Sequence, residues 1–182
     1  MTNDLIIFGA DTGDVVAVGL SGKRKWSFRA KRSILAAPYV NEEGMCFVGS
    51  YDGFMYAIDS NTGYVSWRFR ATGPIISSPI QRNGLLFFGS ADNNLYAINV
   101  QNGRERWKFN ANKPIVSSPV IHESSLYFGG TDENFYCLEM ETGKERWKVK
   151  IGGQITASPC IAADLILVGS LDHKLYAFPL VG

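Results

Sequence analysis

Apolar runs of about five residues, each closed by a turn signal, recur along the whole 182-residue chain. In the central stretch Ile76-Ser77-Ser78-Pro79-Ile80 precedes an Asn83-Gly84 turn, and Leu85-Leu86-Phe87-Phe88-Gly89-Ser90 follows it as a continuous apolar run. That arrangement predicts a hairpin. Asn93-Asn94 supplies the next turn, Leu95-Tyr96-Ala97-Ile98-Asn99 a third strand, and Asn102-Gly103 a third turn. Arg104-Glu105-Arg106-Trp107-Lys108-Phe109 then alternates polar with apolar side chains, as a strand with one wet face does. No segment keeps helical spacing over about ten positions, so the chain is predicted to be nearly all β.

The four-strand unit repeats. Trp26, Trp67, Trp107 and Trp147 are separated by 41, 40 and 40 residues, Pro38, Pro79, Pro119 and Pro159 keep the same interval, and Gly9, Gly49, Gly89, Gly129 and Gly169 recur every 40. A period near 40 with four strands per unit is that of a β-propeller blade. We name the strands A to D from the propeller axis outward. The small residues Ala36-Ala37, Ser77-Ser78, Ser117-Ser118 and Ala157-Ser158 are assigned to strand A, where backbones crowd. Strands B and C, apolar throughout, are covered on both faces by neighbouring blades, and strand D is the solvent edge. The prediction is a single propeller domain over 1–182 with five modules at about 1–29, 30–70, 71–110, 111–150 and 151–182, the first and last incomplete.

Composition narrows the functions. Eighteen Lys and Arg against 17 Asp and Glu give a net charge of +1, which argues against nonspecific nucleic-acid binding. Thirteen of the 18 basic residues fall in the four D segments, where a row of cations protects an outer strand from edge-to-edge pairing. No apolar run reaches the length of a membrane span, and Met1-Thr2-Asn3-Asp4 does not open a signal peptide. The compartment is left open: cytoplasmic for a complete chain, periplasmic or extracellular for part of a longer one. Cys46, Cys137 and Cys160 have no metal-ligand spacing and are read as small buried hydrophobes.

The string Ala57-Ile58-Asp59-Ser60-Asn61-Thr62-Gly63-Tyr64-Val65-Ser66-Trp67, preceded by Gly49-Ser50-Tyr51-Asp52-Gly53-Phe54-Met55-Tyr56, resembles the tryptophan-docking repeat of pyrroloquinoline-quinone-like (PQQ-like) propellers. It recurs from Gly89 to Trp107 and from Gly129 to Trp147. The first copy departs, with Gly19-Leu20-Ser21-Gly22 in place of the Asp-x-x-Thr-Gly turn, and the last stops before its tryptophan. The resemblance implies that Trp26, Trp67, Trp107 and Trp147 are structural, each packing on the next blade. It also covers quinone-dependent dehydrogenases, outer-membrane assembly scaffolds and sensor domains of larger proteins, so fold alone does not fix activity.

A quinone dehydrogenase needs calcium ligands and a catalytic Asp. Asp52, Asp92, Asp132 and Asp172 recur in the same B–C turn, where Asp closes a turn through backbone hydrogen bonds. His122 and His173 stand in isolated turns, and no phosphate loop or nucleophile motif is present. No catalytic, cofactor or metal residue is therefore assigned. By strand parity the D–A loops and B–C turns share one face, on which the copies differ. Lys31, Arg32, Tyr51, Asn93, Lys113, Glu133 and His173 are the candidate binding residues there. The expected function is a non-enzymatic scaffold that binds a protein or peptide, with no nucleic acid and no membrane insertion. Homo-oligomerisation through the unfinished end blades is also anticipated. The alternatives are a fragment of a quinone-dependent dehydrogenase, using PQQ with calcium, or a sensor domain of a larger protein.

Overall fold

Eighteen strands form five separate antiparallel sheets in the computed structural model, which describes residues 5–180. The first sheet is β1 (Leu5–Gly9), β2 (Asp14–Gly19) and β3 (Arg24–Arg29); the second is β4 (Tyr39–Val40), β5 (Met45–Gly49), β6 (Phe54–Asp59) and β7 (Val65–Arg70). The third holds β8 (Ile80–Arg82), β9 (Leu85–Gly89), β10 (Asn94–Asn99) and β11 (Glu105–Asn110). The fourth holds β12 (Val120–His122), β13 (Ser125–Gly129), β14 (Asn134–Glu139) and β15 (Glu145–Lys150), and the fifth β16 (Cys160–Ala162), β17 (Leu165–Ser170) and β18 (Lys174–Pro179). The all-β reading and the five modules with three-stranded ends are borne out.

Four apolar clusters lie between consecutive sheets. One joins Val15, Ala17 and Trp26 of the first sheet to Cys46, Val48, Tyr56 and Ile58 of the second, and the pattern repeats up to Tyr127, Phe135 and Cys137 against Ile166 and Val168. In the middle sheets, strand B is buried at every position of β9 and β13, as two-sided packing requires. The end sheets alternate instead: β1 and β18 each bury only one face, because each has one neighbour. Strand D alternates too, and its Lys and Arg side chains lie outside.

Two recurrent devices set the spacing between blades. Each C–D ladder carries a register shift, at Ala17/Val18, Ala57/Ile58, Ala97/Ile98 and Cys137/Leu138, which leaves the tryptophan opposite a small residue: Ala17↔Trp26, Ala57↔Trp67, Ala97↔Trp107 and Cys137↔Trp147. A bulge also bends the outer strand and strengthens its twist. The indole can then reach across to the next sheet. The glycine that ends strand B seats an isoleucine of the following loop so closely that a Cβ on Gly89 would lie 2.4 Å from Ile115 Cγ2.

The position of strand A is a correction. The small residues precede the ladder instead of forming it: strand A is only Tyr39–Val40, Ile80–Arg82, Val120–His122 and Cys160–Ala162. Proline explains the offset, since Pro79 has no N–H to give and restricts Ser78 before it. The small residues link blades instead. Ala37 N–H donates to Ser78 Oγ, Ser78 N–H to Ser118 Oγ and Ser118 N–H to Ser158 Oγ, each at 2.9 Å. A second correction is Cys160, which is exposed because the outward face of its sheet has no neighbour, whereas Cys46 and Cys137 are buried. A third is His122, which is half-buried at the end of β12 and not in a turn.

Candidate protein-binding face

The D–A loop of each blade lies against the B–C turn of the next, so the two loop sets share one face. Tyr51 N–H donates to Ser33 O, Ala91 N–H to Pro74 O, Thr131 N–H to Pro114 O and Leu171 N–H to Gln154 O. The turn aspartates bind these segments together. Asp52 accepts from Phe54 N–H at 3.0 Å, from Tyr56 Oη at 2.8 Å and, across the blade junction, from Lys31 N–H at 3.0 Å. Asp92 repeats the arrangement with Asn94 N–H, Tyr96 Oη and the N–H and hydroxyl of Thr72. Tyr136 donates to Asp132, and Tyr176 to Asp172. Burial pushes the Asp92 carboxyl up, yet the bonds from Tyr96, Thr72 and Asn94 outweigh it and leave the pKa below the ordinary value. Burial, then the bonded carboxylate, pushes the phenols of Tyr56, Tyr96 and Tyr136 well above their usual range.

These tyrosines were not picked out from the sequence, although Asp-x-x-x-Tyr recurs in modules two to five and carried the signal. Module one has Thr12 and Val16 at the two positions.

Among the candidate residues, Lys31, Arg32 and Tyr51 come together. With Asp52, Phe54 and Arg70 they line a cavity of about 420 Å³ at the junction of the first two blades. Asn93, Lys113, Glu133 and His173 are spread along the other junctions. Tyr51 belongs to a different turn position from Asn93, Glu133 and His173. It aligns with Ala91, Thr131 and Leu171, whereas Asn93, Glu133 and His173 align with Gly13 and Gly53. That second position is left-handed in every copy, with φ between 66° and 90°. Glycine or asparagine suits it, and Glu133 and His173 hold it under strain. Glu133 also pairs with Lys150 at 3.5 Å.

The tryptophans dock as the repeat implies. Trp26 Nε1–H donates to Ser60 O at 2.8 Å, Trp67 to Val100 O at 2.9 Å and Trp107 to Met140 O at 3.2 Å, in each case on the next blade. Each indole lies on a glycine, Gly63, Gly103 or Gly143.

A calcium–quinone pair needs several oxygen ligands free to converge on the metal. Among the described residues no three His, Cys, Asp or Glu side chains converge to hold a metal ion. The aspartates that recur are already committed to tyrosine hydroxyls and turn amides.

Five sheets locked by indoles that dock from blade to blade define a PQQ-like β-propeller. The family model described as "Outer membrane protein assembly factor BamB" matches residues 11–120 and 112–179, and the chain belongs to this family. Solved structures agree on the fold. BamB from Moraxella catarrhalis superposes with a TM-score of 0.83 at 18% identity, over 97% of this chain and 58% of that one. The computationally designed Ika8 protein gives 0.86 at 15% identity, over 97% and 56%. A lanthanide-dependent methanol dehydrogenase of Methylacidiphilum fumariolicum (strain SolV) is 36% identical over 61 residues, 34% of this chain and 10% of that enzyme. Subunit 1 of a methanol dehydrogenase [cytochrome c] of Paracoccus denitrificans is 31% identical over 72 residues, 39% and 11%. The chain thus spans about a tenth of those curated relatives.

Proposed function

We propose that the chain is a non-catalytic propeller module that binds a protein or peptide through the face where D–A loops meet B–C turns. One observation carries this reading. The inter-blade contacts and docked tryptophans repeat from blade to blade, while on this face the side chains change from copy to copy and Lys31, Arg32 and Tyr51 gather around a cavity of about 420 Å³. In a scaffold of identical units, selective recognition has to come from such positions. The family match to an assembly factor supports a binding role, and the commitment of the turn aspartates supports one without a resident quinone.

The test is to select binders from a random peptide library on the 182-residue chain and map them by hydrogen exchange. Protection is expected at 31–34, 51–54 and 72–74. Protection confined to the opposite face, at the A–B and C–D turns, overturns the reading. Saturable, calcium-dependent reduction of an electron acceptor by an alcohol in the presence of pyrroloquinoline quinone overturns it as well.

A further inference from the structure

The seam between the first two blades brings two arginines onto one aromatic ring, at positions where the other blades place polar or charged partners. Three positions are equivalent from blade to blade: the first residue of strand C and the two D-strand residues that flank the phenylalanine or valine after the tryptophan. In the first blade Asp14 and Arg29 form an ion pair at 3.0 Å. In the third, Asn110 donates to Asn94 at 3.1 Å. In the fourth, Lys150 pairs with Glu133 at 3.5 Å and Lys148 with Glu145 at 3.3 Å. The second blade has Phe54 facing Arg70, and Tyr56 facing Arg68. Both guanidinium groups lie over the Phe54 ring, at 5.4 and 5.0 Å from its centroid. Neither they nor Lys31 and Arg32 form an ion pair among the described residues.

Two cavities meet at this place. The one on the loop face, about 420 Å³, is lined by Lys31, Arg32, Tyr51, Phe54 and Arg70. The other, about 410 Å³, continues down the outer side between β3 and β7 along Phe28, Arg29, Lys31, Trp67 and Arg68. Lys31 borders both, and the two cavities together present aromatic side chains (Phe28, Tyr51, Phe54, Trp67) beside cationic ones (Arg29, Lys31, Arg32, Arg68, Arg70). Asp52, the carboxylate that lines the loop-face cavity, is already engaged by Lys31 N–H, Phe54 N–H and Tyr56.

Resting on the binding reading above, we infer that this seam takes an extended acidic segment of a partner protein, its carboxylates on Arg68, Arg70, Lys31 and Arg32 and its backbone along Tyr51 and Phe54. Arg68 and Arg70 bring two positive charges to one ring with no ion pair among the described residues, and the carboxylates of an acidic segment would supply the missing counter-charge. A guanidinium group attracted to a ring face keeps its N–H edge free for paired hydrogen bonds to carboxylate oxygens. Cavities of about 410 and 420 Å³ take side chains of a polypeptide segment, and the +1 net charge supplies no wider field for a nucleic acid.

The test is fluorescence anisotropy with labelled hexaglutamate at low and high salt, using the whole chain. Saturable binding is expected, weakened by salt. R68E/R70E, both exposed positions, should lower affinity at least tenfold. K108E/K148E, the same charge change at equivalent sites of the third and fourth blades, should stay within twofold. Phe54→Leu keeps every charge and should lose several-fold, which separates a built groove from diffuse attraction. Circular dichroism and thermal midpoints of all variants confirm folding. Equal losses in both charge variants, no effect of Phe54→Leu, or tighter binding of labelled oligothymidylate than of hexaglutamate overturns the inference. Library peptides that protect the loop face while hexaglutamate fails would sink the acidic seam alone. Failure of the face as a whole shows instead as protection elsewhere.

Discussion

Gly143 is the seat of the Trp107 indole, and that contact can be measured. A Cβ built on Gly143 lies 2.6 Å from both Cδ2 and Cε3 of Trp107, and the residue has φ +71°. Gly143→Ala therefore carries two costs, about 1 kcal/mol for a side chain in the left-handed region and about 2 kcal/mol for lifting the indole off its seat. Gly84 supplies the control: its φ is +75°, but nothing lies within 4 Å of its Cβ position, so Gly84→Ala should cost only the first, about 1 kcal/mol. Trp107→Ala removes a half-buried indole, its packing on Phe87 and its bond to Met140 O, and should cost about 3 kcal/mol, the lower end for buried aromatic truncations. With the indole gone, Gly143→Ala should cost about 1 instead of about 3 kcal/mol, a coupling of about 2 kcal/mol in the double-mutant cycle. Urea denaturation followed by far-ultraviolet circular dichroism reads all four values. Strict additivity, or equal costs at Gly84 and Gly143, would refute the docking argument.

Three further outcomes follow from local features. Asp92 is held below its ordinary pKa, so the stability it adds is complete above the unfolded carboxylate value of about 3.9 and is lost as pH falls through its lower folded value. Asp92→Asn should flatten the acid limb of stability against pH below about 4, and an unchanged limb counts against the network. Iodoacetamide should label Cys160 alone in the native protein, since burial pushes the Cys46 thiol up to about 12 and raises that of Cys137; mass spectrometry showing native labelling of Cys46 contradicts the packing. Ala163 is left-handed at φ +54°, so Ala163→Gly should stabilise by up to about 1 kcal/mol, and a loss of stability shows that the turn holds no strain.

What could be read from the sequence was what repeats. A 40-residue period fixes blade type, strand order and the inward course of the tryptophans, because the same apolar positions recur in every copy. Strand A escaped because small residues were assigned to the crowded axis, while the prolines beside them remove ladder donors and turn the serines into links between blades. Cys160 escaped because burial belongs to a pair of sheets, and its own sheet has one bare face. The seam escaped for a different reason. Phe54 opposes Arg70, which lies 16 residues on, and the pairing is significant only once Asp14 with Arg29 and Asn94 with Asn110 are known to satisfy each other. Tyr51, Lys31 and Arg32 were legible as breaks in the repeat, but nothing in their spacing placed them beside Phe54.

The two bare faces bear on assembly. Ile6 and Phe8 are 54% and 43% exposed and Leu175 is 71% exposed, whereas their equivalents Leu126, Phe128 and Phe135 are fully buried between blades. The bare face of the first sheet also lacks the usual receivers. Thr12 and Val16 replace the aspartate–tyrosine pair, and Gly19-Leu20-Ser21-Gly22 replaces the turn that seats an indole. A neighbour can meet that face only through apolar contact, and Leu167, Leu175 and Ala177 of the fifth sheet offer such a surface. The 182-residue chain should therefore associate head to tail, the last sheet of one copy on the first of another. Such a contact is heterologous, each copy keeping one face free, so it propagates beyond the dimer. Light scattering should give a mass that rises with concentration beyond the dimer. Phe8→Lys and Leu175→Lys should each return the 20.1 kDa monomer, and an equimolar mixture of the two should stop at a dimer of about 40 kDa, since one intact junction remains. A wild-type chain that stays monomeric at micromolar concentration, or a mixture that fails to pair, overturns the argument.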